Sequence, residues 1–151
     1  MLFVSVSTVN MPASALIDTG AILALLDRSD RWHHLCVSAF AELAVPLLTS
    51  EAVLTELFHL VAGAHVQMEA AWRLVRSGSV IMATIENVEL PHVHALMSRY
   101  SDRPMDFADA TLVYLARREA LSSILTVDHA DFAIYRIAGN RHFRILPITK
   151  P

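Results

Sequence analysis

Four carboxylates stand where a chain of alternating strands and helices would gather them. Asp18 closes the apolar run Ala15-Leu16-Ile17, Glu56 lies in Leu54-Thr55-Glu56-Leu57, Asp109 in Asp106-Phe107-Ala108-Asp109-Ala110, and Asp128 closes Ile124-Leu125-Thr126-Val127. Two of them directly follow short apolar strands and two lie near the starts of helices, so a parallel sheet would bring all four to one edge. Carboxylates crowded in this way repel one another and resist ionisation unless a cation or several donors sit among them. A hard cation held by oxygens, Mg2+ or Mn2+, resolves that conflict, and the quartet reads as a divalent-metal site.

Each acid also has an ordinary structural role open to it. Asp18 before Thr19-Gly20-Ala21 suits a helix N-cap. Glu56, beside Val53 and Leu60 on the flank of an apolar helix face, is expected to be half-buried and to need a partner, either a metal or an arginine. Asp106 and Asp109 are three residues apart and point the same way: they are either an N-cap and a first-turn residue, or two groups of one site. Asp109 shares its side of the helix with Leu112, Val113 and Ala116, which directs it inward. Asp128 and Asp131 could each serve a turn or a short helix start. The joint order of the acids carries more weight than any one of them, whereas Asp27, Asp30 and Asp102 are expected to face solvent.

The elements that must position these groups can be read from the pattern. Leu16-Ile17 is a strand, followed by a tight turn and a helix over Ala21 to Leu26, then a helix over about His33 to Leu43. Pro46 to Thr49 is the second strand, and Ser50 caps a helix running to about Val61, with Gly63 after it. A helix over about Val66 to Arg76, then Gly78, leads to a third strand at Val80 to Met82. A helix over about Val93 to Tyr100 precedes one opened by Pro104 and continuing to about Glu119, apolar nearly all round and so buried. Ser123 to Val127 is a strand, Phe132 to Tyr135 a short helical stretch, and Phe143 to Leu146 the last strand. This alternation predicts an α/β fold with a mostly parallel sheet covered on both faces.

At 151 residues the chain suits one domain with a real core of its own. Its single cysteine, Cys36, allows neither an internal disulfide nor a thiolate zinc site, which fits a cytoplasmic location. The eight histidines are dispersed, with no His-Glu-x-x-His motif, so structural zinc is not expected. The apolar fraction of 54% and a mean hydropathy of +0.44 are high, yet charged residues or histidines interrupt every apolar stretch well short of a membrane span. Buried helices and a partner interface account for that composition, and a homodimer is expected. The net charge of −3 gives no overall pull toward nucleic acid, although bound cations would reverse the local field. Lys150 is the only lysine, so phosphate contacts would fall to arginines, of which Arg103, Arg117 and Arg136 lie nearest the acidic motifs. Surface solvation or an ion pair is the ordinary role for each. The first residues, Leu2-Phe3-Val4-Ser5-Val6 with Ala13-Ser14-Ala15, imitate a secretory signal but lack a basic region and a long enough apolar run. Residues 1–14 are therefore expected to be an N-terminal tail, with Met11 an alternative start.

From Ala15 to about Leu146 the chain resembles the PIN-domain ribonucleases, especially VapC-type toxins of bacterial toxin–antitoxin pairs. The resemblance is most specific in Pro104-Met105-Asp106-Phe107-Ala108-Asp109-Ala110, and in Thr126-Val127-Asp128-His129-Ala130-Asp131-Phe132, which matches a Thr-x-Asp-x-x-Asp-Phe ending. It implies a PIN-like α/β/α sandwich over residues 15–148 with a five-stranded parallel sheet in order 3-2-1-4-5. It further implies that Asp18, Glu56, Asp109 and Asp128 form a catalytic, metal-holding quartet, with Asp106, Thr126 and Asp131 in supporting positions. The implied activity is Mg2+- or Mn2+-dependent endonucleolytic cleavage of RNA, leaving 5′-phosphate and 3′-hydroxyl ends, and the implied partner is a small antitoxin protein that covers the acidic cleft. Gly20 departs from the pattern, because many relatives carry a small hydroxyl residue there, which leaves Thr19 as the nearby hydroxyl.

Other chemistries fit less well. A phosphotransfer domain wants paired acids after the first strand and a lysine after the last, and a haloacid-dehalogenase-like phosphatase wants Asp-x-Asp; Asp18-Thr19-Gly20 supplies neither. Two Glu-x-x-His spacings, Glu56 to His59 and Glu89 to His92, suggest a dimetal helical bundle, but Pro91 interrupts the second and the strands argue against a bundle. The non-enzymatic alternative is a PIN-like module that binds RNA or protein without cutting.

Overall fold

The computed structural model describes residues 12–151, and the expected tail falls outside these apart from its last three residues. Five strands make one parallel sheet: β1 (Leu16–Ile17), β2 (Leu47–Ser50), β3 (Val80–Ala83), β4 (Ser123–Leu125) and β7 (Arg144–Leu146), in the order β3-β2-β1-β4-β7. Helices α1 (Thr19–Leu26) and α2 (His33–Glu42) follow β1, α3 (Glu51–Leu60) and α4 (His65–Arg76) follow β2, and α5 (Leu90–Arg99) and α6 (Phe107–Arg118) follow β3. The short α7 (His129–Ile134) and a two-stranded antiparallel hairpin, β5 (Arg136–Ile137) with β6 (Arg141–His142), stand between β4 and β7. The five-stranded order foreseen from the sequence is this one; its last strand is numbered seventh only because the hairpin intervenes.

Successive side chains of a strand point to opposite faces, so full burial of neighbours means that both faces are covered. Leu16 and Ile17 in β1, and Ile124 and Leu125 in β4, are all fully buried. These two central strands therefore lie between helical layers, and each buried aliphatic side chain contributes roughly 1.5–3 kcal/mol. The edge strand β3 is less covered, with Met82 exposed. Helix α6 buries Ala110, Leu112, Val113, Leu115 and Ala116, as its apolar surface requires. Among the described residues no helix is long and apolar enough to cross a membrane.

Several boundaries differ from expectation: α1 starts at Thr19, α7 spans His129–Ile134 and not Phe132 to Tyr135, and two helix starts differ for local reasons. Pro104 does not open α6: Asp106 is its N-cap, and Pro104 lies in the preceding loop. Helix α5 begins at Leu90 rather than Val93, because Pro91 sits in the first turn, where its missing N–H is harmless. A 3-10 turn over Asn87–Glu89, closed by a reciprocal Glu86 and Glu89 capping box, leads into it. The hairpin was not foreseen; its bend uses left-handed backbone at Gly139 (φ 74°) and Asn140 (φ 60°).

One glycine fixes how closely the first helix approaches the site. A β-carbon at Gly20 would overlap Val127 Cγ2, so a side chain there would force Val127 to move or α1 to draw back from the segment after β4. Gly20→Ala is expected to destabilise the protein by ~1–3 kcal/mol through overpacking. Adding Val127→Ala should recover most of that loss in urea unfolding; strictly additive losses would show that the overlap is not the cause.

Candidate functional site

Parallel pairing of β1 with β4 sets Leu16 beside Ile124 and Ile17 beside Leu125, so the residues that follow both strands leave the sheet at the same edge. The Asp18 amide donates to the Leu125 carbonyl at 3.1 Å, which extends the pairing one step into the turn. Asp18 then caps α1: its backbone is extended, and its Oδ1 accepts from the Thr19 amide at 2.7 Å. The N-cap role and the site role are thus held together, since the second carboxylate oxygen remains to accept from the Thr126 hydroxyl at 3.1 Å. Thr126 is fully buried, and its hydroxyl also accepts from the Asp128 amide at 3.0 Å. One hydroxyl therefore ties the turn after β4 to the acid after β1.

Asp128 caps α7, accepting from the Asp131 amide at 3.1 Å. Asp109, in the first turn of α6, is brought in by the cap at Asp106, whose Oδ1 accepts from the Asp109 amide at 2.8 Å. Asp109 is buried, and the Tyr135 hydroxyl donates to its Oδ2 at 3.0 Å. Glu56 enters from α3, where its Oε2 accepts from the Thr19 hydroxyl at 2.6 Å. It is exposed rather than half-buried, and its partner is a hydroxyl rather than an arginine. The reason is rotational: Val53, Leu54 and Leu57 form the buried side of α3, while Leu60 is 57% exposed and marks no core face beside Glu56.

Carboxylate oxygens of Asp109, Asp128 and Asp131 lie within 4.8 Å of one another, the one such trio of possible ligands among the described residues. Oxygens on opposite sides of an octahedral Mg2+ are about 4.2 Å apart. The spacing is close to what a hard cation needs, and an all-oxygen donor set is the right kind. Asp131, expected in a supporting position, belongs to this trio, whereas Asp18 and Glu56 of the expected quartet lie outside it. Arg103 Nε meets Asp131 Oδ1 at 3.1 Å, so of the three arginines flagged one faces the acids, as an ion pair. Arg117 donates to the Arg136 carbonyl, and Arg136 to the carbonyls of Ala133, Ile134 and Tyr135 at the end of α7.

The electrostatics follow from burial and crowding. Burial pushes Asp18 up to about 6, with hydrogen bonds from Thr19 and Thr126 opposing and the charges of Glu56 and Asp128 adding. Asp109 rises to about 8, first through burial, then through the charges of Asp18 and Asp106, with the Tyr135 hydroxyl opposing. Asp128 is also raised, by burial and by Asp131, against the pull of Arg103. The charges of Glu56 and Asp128 act on Asp18, and those of Asp18 and Asp128 on Asp109, so the four acids lie within electrostatic reach of one another. Asp27 and Asp30 do not face solvent freely: both are half-buried turn caps, accepting from the Ser29 and Trp32 amides, whereas Asp102 is exposed. Tyr135 was not foreseen as a site residue, because its bond to Asp109 spans two elements and leaves no local spacing to read.

The family model for the PIN domain matches residues 15–140. The chain is 30% identical over 135 residues to the ribonuclease VapC26 of Mycobacterium tuberculosis, a match covering 87% of this chain and 99% of that protein. Its fold is similar to the crystal structure of Mycobacterium tuberculosis VapC20, a toxin that cleaves the sarcin–ricin loop, with a TM-score of 0.66 and 22% identity over 74% of this chain and 87% of that one.

A raised carboxyl pKa means that the folded protein holds its proton to higher pH than the unfolded chain does, so stability is greatest in acid and falls as pH rises. Without metal, the contribution of Asp18 and Asp109 is present below about pH 4 and is lost as pH passes about 6 and then about 8. Asp109→Asn should flatten this slope and raise the melting temperature of the metal-free protein at pH 8 by several degrees. A melting temperature for Asp109→Asn below that of the parent at pH 8, without metal, would contradict the crowding.

Proposed function

The chain belongs to the PIN-domain family, and from that premise we propose that it is a Mg2+- or Mn2+-dependent endoribonuclease, the toxin of a toxin–antitoxin pair. The observation that carries this reading is the trio of carboxylates within 4.8 Å of one another, with Asp18 and Glu56 joined to it through Thr126 and Thr19. Asp109, Asp128 and Asp131 would hold the cation, with Asp18 beside them. A bound divalent ion supplies charge neutralisation at a phosphodiester and a stronger water nucleophile.

The residues prepare that chemistry in definite ways. Thr126 holds Asp18 Oδ2 in place, and the amide of Thr19 fixes Oδ1, so Asp18 presents one geometry rather than a set of rotamers. The Tyr135 hydroxyl fixes Asp109 likewise. Glu56, exposed at the rim and anchored by Thr19, is placed to orient water entering from solvent. Arg103, 50% exposed, neutralises Asp131 and can swing to a phosphate when that acid is engaged. No side chain is required as a nucleophile.

The substrate we assign is an unpaired RNA segment, with cleavage leaving a 5′-phosphate and a 3′-hydroxyl. Asp18→Asn or Asp109→Asn should abolish cutting of RNA by the purified protein in Mg2+ or Mn2+ while leaving the fold intact. Thr126→Val, which removes only the supporting hydroxyl, should cost about 10- to 100-fold. Undiminished cutting by Asp18→Asn would sink the reading and favour the alternative, a PIN-like module that binds without cleaving.

A homodimer and a small antitoxin complete the proposal. Val66, Val88 and Trp72 are exposed by 72%, 78% and 48% and offer apolar side chains to a partner. Light scattering should give twice the 16.7 kDa chain mass. A strict monomer at high concentration would remove the dimer from this proposal.

A further inference from the structure

Beside the carboxylates lies a groove of about 620 Å3, and of the residues that line it the proposed chemistry uses only Glu56. One wall is the outer side of α3, the other the first turn of α6, and its floor is the end of β3. Phe107, Ile85 and Leu90 make it apolar, and Glu56 and Asp106 line both it and the acidic cleft. Phe107 directly follows the cap residue Asp106 and is 49% exposed, an aromatic face left to solvent next to the proposed cutting centre.

The chemistry of the groove selects its occupant. No lysine or arginine lines it, and its rim carries carboxylates, so a phosphate would be repelled. A nucleobase is flat, apolar on its faces and uncharged, and it is the part of an RNA strand that such a groove accepts. Continuity with the carboxylates fixes which base: one next to the phosphate being cut. The volume is in the range of small-molecule sites. We propose that this groove is a subsite for an unstacked nucleobase of the RNA substrate, with Phe107 as its stacking platform and as a specificity-determining residue.

This inference rests on the endoribonuclease reading, and two measurements separate their fates. The first uses the full-length Asp109→Asn protein and a single-stranded RNA decamer of random sequence with 2-aminopurine at its centre. Stacking should quench the fluorophore, and adding Phe107→Leu should weaken the response about 5- to 100-fold, whereas Phe107→Trp should keep it. Leucine retains the apolar bulk, so its failure would isolate the aromatic face. The second maps cleavage of a random single-stranded RNA pool in Mn2+. Phe107→Leu should flatten the base preference at one position beside the cut, and Phe107→Trp should preserve it.

Unchanged quenching and unchanged preference in Phe107→Leu would overturn the subsite. So would a variant that alters the oligomeric mass in light scattering and leaves the RNA response intact, because the groove would then seat protein. Parent protein that never cuts RNA, alongside quenching that depends on an aromatic residue at position 107, would sink the endoribonuclease reading and leave base binding standing.

Discussion

Everything at this site depends on one electrostatic conflict, several carboxyl groups held close together where water screens them poorly. Burial alone would keep such groups protonated, and ionising any one of them raises the cost of ionising the next. The protein does not relieve this by spacing the acids apart. It supplies donors from the backbone and from neutral hydroxyls, at Thr19, Thr126 and Tyr135, and a single arginine at the edge. Those donors orient the acids without supplying a positive charge among them, so the crowding is left for a cation to relieve.

The sheet makes this possible because parallel neighbours deliver their following residues to the same edge. Asp18 and Asp128 need no long connection to meet; adjacency of β1 and β4 does it. The other two acids come from helices, and each depends on a cap. Ser50 accepts from the Val53 amide to start α3, and Asp106 accepts from the Asp109 amide to start α6. Thr111 of α6 then donates to Ser50 Oγ at 2.8 Å, joining the two helix starts beneath the acids. Local capping chemistry and the long-range site are therefore one network.

The sequence disclosed much of this and concealed a definite remainder. The strands were legible because β1 and β4 are buried on both faces and read as unbroken apolar runs, and the order of the acids could be placed once the strands were known. Helix starts were less clear: Pro104 and Pro91 are both permissible near an N-terminus, and only the cap at Asp106 or the turn before Leu90 decides between positions. The relative standing of Glu56 and Asp131 was also hidden. Both are acids on helices, and which one stands beside Asp109 and Asp128 depends on helix rotation and on α7 being short, neither of which composition records. Tyr135 looked like the end of a helix because its partner lies 26 residues away.

The Tyr135 ring stands edge-on to Tyr100 and to Phe132, with ring centres 5.2 Å apart in each case, and Phe132 meets Phe143 in the same manner at 5.6 Å. The hydroxyl of Tyr135, the second ring of this aromatic chain, holds Asp109, so the acid is anchored to the core rather than to a surface loop. Rigidity at the cleft is consequently borrowed from the interior. Loosening along the rings, as far away as Phe143, would be felt as slack in the Asp109 carboxylate.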